Sequence, residues 1–119
     1  MRVHESFPVH VRMRWLDFSP ALQWYTRRRF ESALRRFASR IRSVSVRIAD
    51  GDGLRSGASD RICDVEIFLH PSGSLLASGS APDAYLSVAR AAHRARTVVR
   101  GHVSRRVDRG SLVSLQRIA

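Results

Sequence analysis

Two stretches of this chain concentrate arginine and almost exclude acid. Arg27, Arg28, Arg29, Arg35, Arg36 and Arg40 fall in the first, where Glu31 is the one opposite charge. Arg90, Arg94, Arg96, Arg100, Arg105 and Arg106 fall in the second, with no acid between Asp83 and Asp108. All 21 basic residues are arginine, and the net charge is +11. A guanidinium is planar, always charged, donates to phosphate through two parallel bonds and stacks on bases. Most carboxylates lie elsewhere, at Asp50, Asp52, Asp60, Asp64 and Glu66. Such segregation puts a positive field on one side of a small domain and favours polyanions, nucleic acid first among them. A solvated surface charge accounts for any single arginine; the set is what points to a polyanion.

Other chemistries find little support. Asp50-Gly51-Asp52-Gly53 begins like a calcium loop, but Leu54 stands where the third oxygen ligand belongs and no Glu follows at the required spacing, so the segment reads as a turn. Neither a zinc spacing of Cys and His nor a phosphate-binding glycine loop is present. Ser, His and Asp all occur, yet nothing local marks a nucleophile, and the expectation is a protein that is not an enzyme and needs no cofactor. Cys63 is the single cysteine, set inside an apolar run, which reads as a small core residue. His93 reads as an outward side chain that adds charge at low pH, His102 as a core histidine on an apolar stripe.

The elements that would position these arginines follow from periodicity. Val9, Val11 and Met13 alternate with His10, Arg12 and Arg14, a strand with one buried face. Ser19-Pro20 then signals a helix start, with Ser as N-cap and Pro in the first turn. Leu22, Phe30, Ala33, Leu34, Phe37 and Ile41 follow helical spacing from there, which places Trp24, Arg28 and Arg35 opposite them and Arg29, Arg36 and Arg40 along a flank. Val44, Val46 and Ile48 alternate as a second strand. Asp50 to Asp60, rich in Gly, Ser and Asp, reads as a mobile connection. Ile62 to Leu69 is a third strand, and Pro71-Ser72-Gly73 turns it into a short fourth around Leu75 to Ser78. Asp83 caps a last helix whose inward stripe is Tyr85, Val88, Ala92, Ala95, Val99, His102 and Val103. Arg90, Arg94 and Arg105 line its outer side, with His93 and Arg100 beside them.

The resulting expectation is an α+β fold of order β-α-β-β-β-α, a four-stranded sheet with two helices packed on one face, so that both arginine faces turn outward on the same side. At 119 residues one domain is expected, over residues 1–107, with a short tail at 108–119 where no period is evident. The first fifteen residues lack an apolar signal segment, and no apolar run is long enough to span a bilayer, so the expected location is the cytoplasm.

This order resembles the ribosome hibernation-promoting factor / RaiA family, the ribosomal subunit interface or sigma-54 modulation proteins. The segment Leu76-Ala77-Ser78-Gly79-Ser80-Ala81-Pro82-Asp83-Ala84-Tyr85 is similar to the family's last strand and helix start, an A-S-x-x-x-x-D-x-Y pattern, and continues through Leu86-Ser87-Val88-Ala89 to Arg94. Phe18-Ser19-Pro20-Ala21-Leu22, running into a basic helix that ends Phe37-Ala38-Ser39-Arg40-Ile41, resembles the family's first helix. The likeness covers roughly Val9 to Arg106. It departs at Ala89, where many members have Asp, at Thr97, where Arg is common, and at Gly101, where a basic residue is usual.

The resemblance implies a short-form hibernation factor that binds the small ribosomal subunit's decoding region during growth arrest, blocks the tRNA and mRNA path and stabilises inactive ribosomes. The implied partners are ribosomal RNA and the small subunit, with no membrane and no small-molecule substrate, and the protein is expected to be a monomer off the ribosome. The arginines expected to meet RNA are Arg28, Arg35 and Arg36 on the first helix and Arg90, Arg94, Arg100 and Arg105 on the second. Trp24 has two readings of equal weight, a platform on which a base stacks or a cover for the sheet margin. Tyr85 reads as a core residue with its hydroxyl at the rim. Two other classes of function stay open from the residues: a general double-stranded RNA or DNA module, and a protein-interaction module whose arginines engage an acidic partner.

Overall fold

The alternation of β-branched residues with polar ones produces the strands. The computed structural model describes residues 6–14, 17–50 and 60–118, with side chains as far as Arg106. Strand β1 (Val9–Arg14) pairs in parallel with β2 (Ile41–Asp50), which pairs antiparallel with β3 (Arg61–Leu69), and β3 pairs antiparallel with β4 (Ser74–Ala81). The spatial order is β1-β2-β3-β4. A parallel neighbour needs a crossover, and α1 (Pro20–Leu34) supplies it. The expected α+β order is therefore the observed one, with both helices on one face of a four-stranded mixed sheet.

Val9, Val44, Val46, Ile48, Cys63, Val65, Ile67 and Leu69 turn to the helices and are buried. Against them lie Leu22, Phe30 and Leu34 of α1 and Val88, Ala91, Ala92, Ala95 and Val99 of α2 (Ala84–Ile118). At about 25 cal/mol per Å², burying residues of this size supplies most of the drive to fold. Thr26 is also fully buried, its hydroxyl satisfied by donating to the Leu22 carbonyl at 2.7 Å.

Both expected helix caps form. The Ser19 hydroxyl accepts from the Leu22 amide at 3.1 Å, and the Asp83 carboxylate accepts from the Leu86 amide at 3.0 Å. The turn after β3 closes through the Leu69 amide and the Gly73 carbonyl, with Gly73 at φ +92°, a conformation that glycine adopts without steric cost.

Several boundaries differ from the sequence reading. Helix α1 ends at Leu34, and Arg35–Arg40 forms a tighter 3-10 segment with Phe37 at φ −107°, ψ 15°. Ile41 is thus the first residue of β2, not the last of a helical stripe, and the expected row of Arg29, Arg36 and Arg40 is broken. The chain must leave the helix axis here to enter the sheet, and the short segment does this while keeping Ala38 buried. Strand β4 is longer than Leu75 to Ser78, and Asp50 belongs to β2 rather than to a loop. The rest of the expected mobile connection and calcium-like turn, residues 51–59, lies outside the described residues. The backbone of α2 continues to Ile118, a helix of 35 residues and so about 52 Å long, past the point where the inward stripe fades.

Gly79 explains how closely α2 approaches β4. A Cβ there would lie 2.5 Å from the Ala91 amide nitrogen and 2.9 Å from the Ser87 carbonyl oxygen. Facing a backbone that close, alanines at 91, 92 and 95 are what fits.

Candidate nucleic-acid interface

Every arginine of α1, the 3-10 segment and α2 up to Arg106 is exposed. Among the described residues the ion pairs are Arg47–Asp64 at 3.6 Å and Arg61–Asp50 at 3.3 Å, both on the sheet. Among the described residues no helix arginine takes part in an ion pair, so no described acid offsets the charge on the helix side. In a small domain that leaves the field free to act on an external polyanion.

The structure brings the expected residues to one side of the sheet but divides them. On α1, Arg28 lies with its guanidinium carbon 5.4 Å from the Trp24 ring centroid, a cation–π pair, and Trp24 is 65% exposed. Arg29 stands 6.0 Å from the Tyr25 ring, and Tyr25 meets Tyr85 of α2 edge-on at 4.9 Å. Tyr85 is 39% exposed, so it bridges the two helices at their N-terminal ends instead of sitting in the core. Trp24 is largely open to solvent. Arg35 and Arg36 are exposed on the 3-10 segment, one step displaced from the α1 row.

On α2 the arginines form two rows. Arg90 reaches the β4 edge, donating to the Ser80 carbonyl at 2.8 Å, and helical spacing carries Arg94 and Arg105 along that side. Arg105 folds back toward its own helix: a Cβ on Gly101 would lie 3.4 Å from its terminal nitrogen. Arg96 and Arg100 follow Tyr85 and Ala92 at helical spacing and so belong to the side that faces α1. Arg96 belongs to the second arginine stretch but is not among the residues expected from the sequence to meet RNA. Its signal was the i+11 spacing from Tyr85, which places it on the side of α2 that carries the Tyr25–Tyr85 contact. His93 is exposed as expected, while His102 is half-buried at the end of the stripe, not in the core.

The opposite face of the sheet carries mixed charge. Arg12, Arg14 and Arg47 share a shallow depression with Asp64 and Glu66, and Leu76 beside them is 71% exposed. The Arg47–Asp64 pair lies on this face, so its field is weaker than that of the helix side. Cys63 is fully buried as expected, and burial first, with the Asp64 carboxylate second, pushes its thiol up to about 12. It is not a nucleophile in the folded protein. Among the described residues no helix is long and apolar enough to cross a membrane.

A four-stranded mixed sheet carrying two arginine-faced helices on one side defines the class, an α+β domain built to present positive charge. The model of the sigma 54 modulation protein / S30EA ribosomal protein family matches residues 9–107, and the chain belongs to that family. Among solved structures, a ribosomal subunit interface protein from Coxiella burnetii superposes with a TM-score of 0.62 at 18% identity, covering 81% of this chain and 98% of that one. The N-terminal domain of Protein Y from Thermus thermophilus gives 0.60 at 17% identity, covering 74% of this chain and 89% of that one. At such identities these likenesses show the shared fold. No protein of curated function matches the chain.

Proposed function

We propose that this protein is a ribosome-associated translation inhibitor of the hibernation-factor kind. Family membership supports association with the ribosome. The observation that carries the finer reading is the exposure of every described arginine on both helices, with no ion pair to any of them among the described residues. The protein docks on the small subunit's decoding region, with the phosphates of ribosomal RNA as the principal ligands. Arg28, Arg35 and Arg36 from one side and Arg90, Arg94, Arg100 and Arg105 from the other neutralise phosphate, and Trp24 stacks on an unpaired base. A-form RNA is read by shape and backbone, so no base-specific set is needed. Inhibition is steric: a folded domain occupies the path of tRNA and mRNA. Residues 1–107 form the binding domain and 108–119 an appended segment.

Co-sedimentation of the purified protein with ribosomes at moderate salt tests this, with excess tRNA or bulk duplex RNA as competitors. Saturable binding to the small subunit that resists duplex RNA and yields to tRNA is the expected result. Pelleting lost equally to any polyanion would reduce the protein to a general arginine-rich nucleic-acid binder.

A further inference from the structure

At the end of the sheet away from the helix N-termini, the β3–β4 turn, the 3-10 segment and α2 border an open cavity of about 320 Å³. Arg40, His70, Ser72, His102 and Arg106 line it, and among the described residues no Asp or Glu does. The spacing along α2 accounts for the chemistry. Val99, His102 and Arg106 lie on one line of the helix at i, i+3 and i+7, so the inward stripe turns cationic just where the helix passes the end of the sheet.

The rim is held in place from three sides. The His70 amide donates to the Arg40 carbonyl at 3.0 Å, the Leu69 amide donates to the Gly73 carbonyl at 2.9 Å, and the Arg42 guanidinium donates to the Pro71 carbonyl at 2.7 Å. Ser74 also borders the cavity, but its hydroxyl is committed to Glu66 at 2.8 Å.

We propose that this cavity is a binding site for a phosphate group, separate from the helix faces that meet RNA in the reading above and independent of that reading. Two guanidiniums supply charge and bidentate donors, and the His70 imidazole and the Ser72 hydroxyl complete a donor set suited to a tetrahedral oxyanion. The volume lies at the small end for ligand pockets, enough for a phosphate and part of a nucleoside. Two sources share this chemistry: a free phosphate or nucleotide, and the terminal phosphate of an RNA strand.

The test is an amide NMR titration of the full chain at constant ionic strength, with inorganic phosphate, with ADP, and with a short oligoribonucleotide bearing a 5′-phosphate or a 5′-hydroxyl. Saturable shifts confined to residues 40, 70, 72, 73 and 102–106 support the site. If phosphate or ADP produces them, the source is a free ligand; if only the 5′-phosphorylated strand does, it is an RNA end. Arg40→Gln and Arg106→Gln should each weaken binding about tenfold or more, the usual scale for losing a charge-assisted bond. Both side chains are exposed, so the fold should persist. Ser72→Glu, which sets an acid in the cavity, should abolish binding. The proposal fails if no probe gives saturable local shifts, if shifts spread evenly over the helix arginines, or if the cavity variants bind as the parent does.

Discussion

At the scale of single residues, Trp24 and Cys63 are opposite extremes, one large and exposed, the other small and sealed. Nothing in the core depends on an indole that is 65% exposed, and Arg28 already rests against it. Trp24→Ala should therefore change folding stability by less than about 0.5 kcal/mol in denaturant titration. If a base stacks there, the same change should weaken ribosome binding by about 1–3 kcal/mol, or roughly 5- to 150-fold. Unchanged affinity would remove Trp24 from the interface. Cys63 should resist iodoacetamide in the folded protein at pH 8 and react once denaturant is added. Its thiol is raised from 9.0 to about 12 by burial. Below pH 9 both folded and unfolded states keep the proton, and the linked stability is complete. As the pH rises from 9 toward 12 only the unfolded thiol ionises, so that stability is lost, by at most about 1.4 kcal/mol per pH unit. A Cys63→Ala variant that shows the same alkaline loss as the parent would put the cause elsewhere.

At the scale of elements, the tightest constraint is the contact between β4 and α2. A methyl at position 79 would meet two backbone atoms of α2, and backbone cannot yield as a long side chain can. Gly79→Ala should destabilise the protein by about 1–3 kcal/mol in a urea titration, the scale of overpacking. Leu76→Ala, on the open face of the same hairpin, should change it by less than about 0.5 kcal/mol. Similar values for the two would contradict the close approach. The sequence showed the alanines of α2 but not this glycine's role, because a strand glycine reads equally as a bulge or a weak point. Strand faces and helix starts were legible because alternation, Ser19 and Asp83 are local signals with local causes. The end of α1 was not. Arg35 to Arg40 keep an α-helical pattern of apolar residues, and only the demand that Ile41 enter the sheet forces the tighter turn. The same limit applied to the candidate interface. Its arginines were visible as a set, whereas their division into a β4-side row and an α1-side row needed the contacts of α2 with Gly79 and with Tyr25.

At the scale of the whole molecule, charge placement decides what can bind and how salt acts on it. With a net charge of +11 and the sheet arginines partly paired, the long-range field comes mainly from the helix side. Binding that neutralises about six phosphates should lose about a thousandfold in affinity between 50 and 200 mM salt. The two rows of α2 then allow a sharper experiment. Arg90→Glu with Arg94→Glu reverses the row at the β4 edge, where Arg90 is already tethered to the Ser80 carbonyl. Arg96→Glu with Arg100→Glu reverses the row that faces α1, where Arg28 and Arg29 add to the same potential. Both variants should keep the parent's circular dichroism, since all four side chains are exposed. Both should weaken ribosome binding and lower the salt slope by about 2, one unit for each lost phosphate contact. The pair on the α1 side should lose more if the α1 arginines share the same phosphates. Equal losses would mean that the RNA spans both flanks of α2 evenly. If both variants are folded and bind as the parent does, the RNA meets another surface, and the arginine-bearing open face of the sheet is the next one to reverse.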